Sequence, residues 1–214
     1  MSELVSAGYR YSYQIVDMRK YGVPQRRYRL ILLASRRSEI GFPDETHSAS
    51  RYVSVRQCIG DRKRFPPLRA GESDPNIPNH QVSALTATNL RRIRPTPRNG
   101  GNRLSWQALK GLELPCYRKH MGHTDVYGRM CWDRTASTIT TRFNSLSNGR
   151  FGHPGEDRAI SLREGAALQT FPDDYAFFGS QGEIARHIGN AVPVRLAEVF
   201  GKFLFKMVEN RHLA

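Results

Sequence analysis

Cysteine is scarce in this chain of 214 residues, lysine is far outnumbered by arginine, and no long hydrophobic run exists. The three cysteines, Cys58, Cys116 and Cys131, are an odd number without a CxxC spacing. That excludes a disulfide framework and a zinc knuckle, and it points to a reducing, cytoplasmic setting. The longest unbroken apolar stretch is Leu30-Ile31-Leu32-Leu33-Ala34, whereas a bilayer crossing needs about 20 residues, so no membrane partner is expected. The N-terminus, Met1-Ser2-Glu3-Leu4, carries an acid where a secretory signal has basic residues, and no apolar core follows it. The seven histidines lack a metal-ligand spacing, so no metal is expected. Internal repeats and low-complexity tracts are missing as well.

What the chain does have is arginine, 27 Arg to 6 Lys, within a formal charge of +14. Solubility does not require that skew, because lysine would serve equally well. The planar guanidinium fork suits phosphates and base edges, so the composition reads as nucleic-acid binding. A basic protein that binds acidic partners is the bland alternative.

Three regions differ in character. In the first 36 residues, Ser2 to Ala7 can form one or two helical turns closed by Gly8. Tyr9, Tyr11, Tyr13 and Ile15 then alternate with polar residues, the period of a strand. After Tyr21-Gly22-Val23-Pro24, the apolar run at 30–34 suits a second strand buried on both faces of a helix-covered sheet. From Arg36 to about Pro154, proline and glycine are frequent, and no helical period is sustained beyond short pieces such as Ser105–Gly111. An irregular domain with a few short strands, such as 137–141, is expected, since Trp106, Trp132, Tyr117, Tyr127 and Phe143 are too many aromatics for a disordered linker. At the C-terminal end, Ser161-Leu162-Arg163-Glu164 reads as a capping box opening a helix that stops before Phe171-Pro172. Pro193 suits the first turn of a last helix, whose Leu196, Val199, Phe200, Phe203, Leu204 and Met207 form one apolar stripe.

Three stretches in order carry a resemblance. They are Tyr21-Gly22-Val23-Pro24-Gln25-Arg26-Arg27-Tyr28-Arg29, with its Gln-x-Arg-x-Arg pattern; Arg158-Ala159-Ile160-Ser161-Leu162-Arg163-Glu164-Gly165-Ala166-Ala167-Leu168-Gln169-Thr170-Phe171-Pro172-Asp173; and Ile188-Gly189-Asn190-Ala191-Val192-Pro193. Together they resemble the C-terminal half of the DNA (cytosine-5)-methyltransferases. The resemblance implies an α/β fold: the C-terminal part of a Rossmann-like, adenosylmethionine-dependent methyltransferase domain plus an irregular, mostly β target recognition domain. Residues 1–36 would end the catalytic-domain sheet, 37–183 would form the recognition domain with its closing motif, and 184–214 would return as a helix to the catalytic domain. Segments 123–130 and 136–143 resemble the two recognition loops.

The resemblance also implies roles. Arg29 would hydrogen-bond a flipped cytosine at O2, and Arg27 would order the same pocket, since positions i and i+2 share one face of a strand. Arg129, Thr138, Ile139, Arg142 and Asn144 are the candidate DNA contacts. For any single arginine a phosphate contact or a solvated surface is the commoner role. Asn190 and Ala191 would lie near the amino-acid end of S-adenosyl-L-methionine; Asn190 could instead merely cap the start of the last helix. Double-stranded DNA is the implied partner, and a restriction–modification system the implied setting.

The family's nucleophile stands in a Pro-Cys-Gln motif and its base-holding acid in Glu-Asn-Val, and neither occurs here, nor does a glycine-rich strand-to-helix turn. Pro115-Cys116-Tyr117 follows the arginine motif instead of preceding it, so Cys116 is read as structural or incidental. The chain alone is therefore expected to be inactive and to need an N-terminal methyltransferase half or large subunit. A truncated gene product and a catalytically inactive DNA-binding module are the alternatives. An RNA-binding protein is a weaker rival, because no RNP strand or KH clamp is present.

Overall fold

The computed structural model describes residues 1–106, 108–114, 116 and 125–209. It opens with a short helix α1 (Ser2–Ser6), followed by the antiparallel hairpin β1 (Arg10–Asp17) and β2 (Tyr28–Ser35). A 3-10 turn, Met18–Tyr21, joins the strands. Asp17 caps it, and Gly22 closes it at φ +81°, a left-handed conformation that glycine adopts freely. One face of the hairpin, with Val16, Ile31 and Leu33, packs on Leu196, Val199 and Phe200 of α6 (Val194–Glu209). This is the amphipathic stripe read from the sequence, and it accounts for the last helix.

The other face differs from expectation. The register pairs Tyr13 with Leu32 and Ile15 with Leu30, and these four side chains are 55%, 41%, 73% and 65% exposed. The run at 30–34 is apolar on both faces, as a fully covered strand would be, yet among the described residues only one face is packed. Among the described residues the sheet has these two strands alone.

Residues 37–183 hold only short helices and isolated bridges among those described: α2 (Val55–Ile59), α3 (Ala87–Ile93) and α4 (Leu162–Leu168), with bridges such as Arg129 to Gly152 and Ser73 to Gln81. A mostly β recognition domain is therefore not what forms, and the stretch at 137–141 is not a strand. A loop-rich body leaves many backbone carbonyls without ladder partners, and buried carbonyls need donors. Arginine supplies them. Arg163, 1% exposed, donates to the carbonyls of Pro78, Pro172 and Tyr175. Part of the arginine excess is thus an internal scaffold.

The expected capping box is present, with Ser161 accepting from Glu164 N while Glu164 accepts from Ser161 N. Gly165 lies where a Cβ would run into the Phe143 ring, so α4 and the 136–143 segment touch directly. The expected boundary between 183 and 184 falls inside α5 (Gln181–Asn190). Ile184, Ala185 and Ile188 join Val55, Ile139, Phe143 and Leu168 in the larger core. The change of core comes after Asn190, where the chain crosses to α6, because α5 turns its apolar side toward α4 and α6 packs on the hairpin.

Candidate nucleic-acid interface

The three motifs converge, although the contact from Arg27 to Gly189 spans 162 positions of chain. The segment 24–27 lies beside 136–139: Arg26 N donates to Ala136 O at 2.8 Å, Ala136 N donates to Pro24 O at 2.9 Å, and Thr138 Oγ1 donates to Arg26 O at 2.6 Å. Gln25, fully buried, accepts from Ile139 N at 3.0 Å and donates to Leu168 O and Gln169 Oε1, both at 2.9 Å. Arg27 Nη1 donates to Ile139 O at 2.9 Å and Gly189 O at 3.2 Å, with Nη2 at 3.3 Å from Gly189 O. Both backbone groups of Ile139 are therefore held by the Gln-x-Arg motif.

Arg27 and Arg29 do not point the same way here. Strand alternation applies only from Tyr28 onward, because β2 starts there, and Arg27 sits in the preceding bend. It turns inward and is 7% exposed, while Arg29 is exposed and donates to Tyr28 O at 2.7 Å. Burial, with the nearby Arg29 charge, lowers the pKa of Arg27 from its usual value. Its Nε is buried without a hydrogen-bond partner.

Two of the candidate DNA contacts fall on the wrong side of the surface. Arg129 is fully buried, with Nη2 on Ile93 O at 2.8 Å and Asp157 Oδ1 at 2.5 Å, Nε on Thr96 O at 2.9 Å, and Nη1 on the carbonyls of His153 and Glu156. Every donor meets a protein acceptor, so no base edge is within its reach. Ile139 is likewise fully buried, in the larger core. Thr138 is half-buried with its hydroxyl on Arg26 O, Asn144 is half-buried and donates to Ser83 Oγ at 3.1 Å, and Arg142 is exposed. His123 and Thr124, in the first expected recognition loop, and Pro115 and Tyr117 lie outside the described residues.

Residues that the sequence did not single out line the surface beside this junction. One cavity of ≈ 460 Å³ is bordered by Arg19, Arg26, Arg134 and Ser137, and another of ≈ 380 Å³ by Asn99, Arg134, Ser137 and Arg150. Arg134 and Ser137 border both. Arg150 is tied down, with Nε on Asp125 Oδ1 at 2.8 Å and Nη1 on Gly100 O at 2.9 Å, whereas Arg26 and Arg134 are exposed. The signal for Arg26 was its place at the centre of the motif; Arg134 carried none beyond its charge.

Beneath this surface lies a buried ion network. Arg158 grips Glu164 through two bonds of 2.8 Å and also reaches Glu156 Oε2 at 2.8 Å. Burial alone would raise the Glu164 carboxyl, but the Arg158 charge and hydrogen bonds outweigh it and hold it at about 2. His153, beside them, is held neutral by burial at about 4, with Glu164 pulling the other way and Arg158 reinforcing the shift. Cys58 has its thiol pushed up to about 12 by burial, which removes it as a nucleophile. Cys116 is exposed. No group of three or more His, Cys, Asp or Glu arranged to hold a metal occurs among the described residues, and no helix there is long and apolar enough to cross a membrane.

Asn190 ends α5 and is exposed, and Ala191 follows as its C-cap, so Asn190 does not cap α6. Gly189 is where α5 meets the 136–141 segment: a Cβ there would overlap the Thr140 carbonyl and Thr141 N. The Gly189→Ala variant gains helix propensity of about 1 kcal/mol. It must also displace backbone that Arg27 holds, an overpacking cost of roughly 1–3 kcal/mol. The expected outcome is a net fall in thermal stability with faster amide exchange at 139–141, whereas Gly182→Ala, with open space around it, does neither. Stabilisation by Gly189→Ala would contradict the contact.

Over residues 1–206 the chain matches the family model of the C-5 cytosine-specific DNA methylases, and it belongs to that family. It is 41% identical over 219 residues to the type II methylase M.HgiDII of Herpetosiphon aurantiacus, covering 99% of this chain and 60% of that protein. It is 31% identical over 214 residues to the type II methyltransferase M.BbvI of Brevibacillus brevis, covering 96% of this chain and 52% of that one. A solved DNA modification methyltransferase encoded within an E. coli prophage aligns with a TM-score of 0.66 at 18% identity, covering 97% of this chain and 63% of the other; that likeness speaks to fold alone. The chain thus spans about 60% of the length of M.HgiDII.

Proposed function

We propose that this chain is the recognition and sheet-closing part of a DNA (cytosine-5)-methyltransferase of a restriction–modification system, seating on a specific duplex sequence and helping to hold a cytosine turned out of the stack. The observation that carries this reading is the clamp of Gln25 and Arg27 on Ile139, because it fixes the 136–141 segment to the strand that bears Arg29. Exposed Arg26, Arg134 and Arg142 meet phosphates or base edges, with Thr138 and Asn144 ordering the loop between them. Arg29 donates to O2 of the flipped base and polarises the ring for attack at C6 by a cysteine outside this chain. Arg27 orders that pocket from behind, as a positioning residue.

Asn190 and Ala191 fit one wall of a site for S-adenosyl-L-methionine. The exposed Asn190 carboxamide can both donate and accept toward an amino-acid end. When bound, that cofactor supplies the methyl group placed on C5. The remaining catalytic part, an N-terminal half or a large subunit, covers Tyr13, Ile15, Leu30 and Leu32. Leaving such side chains partly in water forgoes a share of the roughly 1.5–3 kcal/mol that full burial of a large apolar side chain gives.

The test is DNA binding and methyl transfer by the chain with and without that part. The chain alone is expected to bind duplex DNA with log K falling by about 0.9 per neutralised phosphate against log[salt], and to transfer no methyl group. Adding the catalytic part should restore transfer. A salt slope near zero overturns the recognition role. Methyl incorporation by the isolated chain, abolished by Cys116→Ser, overturns the division of labour, and DNA binding with no transfer in any combination leaves an inactive DNA-binding module.

A further inference from the structure

Two buried glutamines join the recognition segment to the connection between α5 and α6. Gln25 Oε1 accepts from Ile139 N, and Gln25 Nε2 donates to Leu168 O and Gln169 Oε1. Gln169 Nε2 in turn donates to Ile188 O at 2.6 Å and Ala191 O at 3.5 Å, while Gln169 O accepts from Val194 N at 3.2 Å. Both residues are fully buried. Every amide donor has an acceptor, so the orientations are set. Flipping Gln25 would turn its NH2 toward the Ile139 N–H and its oxygen toward two acceptors. The recognition segment therefore cannot shift at Ile139 without disturbing Gln25, nor can Gln25 move without disturbing Gln169 and the connection that carries Asn190. Arg27 spans the same gap from Ile139 O to Gly189 O.

We propose that Gln25 and Gln169 are positioning residues that form a two-amide relay, by which seating of the 136–141 segment on DNA tightens the 188–194 connection beside the cofactor wall. The part that concerns DNA rests on the function proposed above. Such coupling is reciprocal: whatever orders 188–194 also favours the seated segment. The relay sets affinity between the two sites and touches neither ligand.

The test is amide exchange on the full chain, with and without a random-sequence duplex, for wild type, Gln25→Met and Gln169→Met. Without DNA, each variant should speed exchange at the far end by about tenfold, the lower range of measured couplings. Gln169→Met should loosen Ile139 N, which Gln169 does not touch, and Gln25→Met should loosen Val194 N. Ile93, in a separate core, serves as the control for general destabilisation. With DNA, wild type should gain protection at Val194 and both variants should lose that gain. If the methionine variants do not fold, Gln25→Asn and Gln169→Asn, which keep the amide but withdraw it by one methylene, should give the same far-end pattern. Equal acceleration at Ile93, or loosening confined to the substituted end, overturns the relay. DNA binding by wild type without protection at Val194 overturns the coupling and leaves the DNA-binding reading intact. Absence of DNA binding overturns that reading, while far-end loosening without DNA still upholds the relay between the two segments.

Discussion

Arg158→Leu is expected to cost 3–5 kcal/mol, enough to unfold much of the population of an ordinary domain, because it strands a fully buried carboxylate. Glu164 is 0% exposed and Arg158 1%, and Glu164 also completes the cap of α4, so the loss propagates into the helix bearing Gln169. The double variant Arg158→Leu with Glu164→Leu should cost clearly less than the two single changes added, since two apolar side chains leave no buried charge. The network also sets the response to acid. His153 has a folded-state value of about 4, below its ordinary 6.5, so its contribution is fully present above pH 6.5. It is lost as the pH falls to about 4, where only the unfolded chain has been gaining the proton. Glu164, held at about 2 against an ordinary 4.5, loses its contribution over that lower window. Chemical denaturation at pH 7.5, 5.5, 4.5 and 3 checks both: a flat profile down to pH 3, or additive single and double variants, would mean that the network carries little stability.

Local chemistry was legible in the sequence wherever a few neighbouring residues decide the outcome. Ser161 and Glu164 opened a helix, Gly8 followed the first one in a left-handed turn, and the Leu196 and Phe200 stripe found the hairpin. Alternation in β1 gave the strand but not its environment: Tyr13 and Ile15 form the apolar side, yet the packed side is that of Val16. Periodicity identifies a face, and only tertiary contacts say what covers it. The site was less legible for a similar reason. Arg129 and Arg142 both stand in segments that resemble recognition loops, but Arg129 turns inward to carbonyls that no ladder satisfies, and nothing in the charge pattern separates the two. Gln25 and Gln169 stand in two separate motifs; their contact spans 144 positions, a separation that local reasoning does not reach.

Arg29→Ala in the completed enzyme is expected to lower the rate of methyl transfer by about 10²–10³, the usual effect of losing one preorganised donor at a charged transition state. Binding to the duplex should change little, because the donors of Arg29 meet cytosine only after the base has left the stack. The fold should tolerate the change. Arg29 is exposed, its side chain donates only to the neighbouring Tyr28 carbonyl, and its backbone is fixed by pairing with Val16; exposed substitutions of this kind usually stay within about 0.5 kcal/mol. That combination separates Arg29 from Arg27, whose replacement would remove buried bonds to Ile139 and Gly189 and so disturb loop and chemistry together. Arg29→Lys should rescue poorly, since a point charge lacks the planar fork and its fixed donor directions. Single-turnover methylation beside equilibrium binding on the same duplex, with circular dichroism to follow folding, measures the difference. Equal losses in rate and affinity, or a fully active lysine variant, would make Arg29 a phosphate contact, and the donor to cytosine would have to come from another residue.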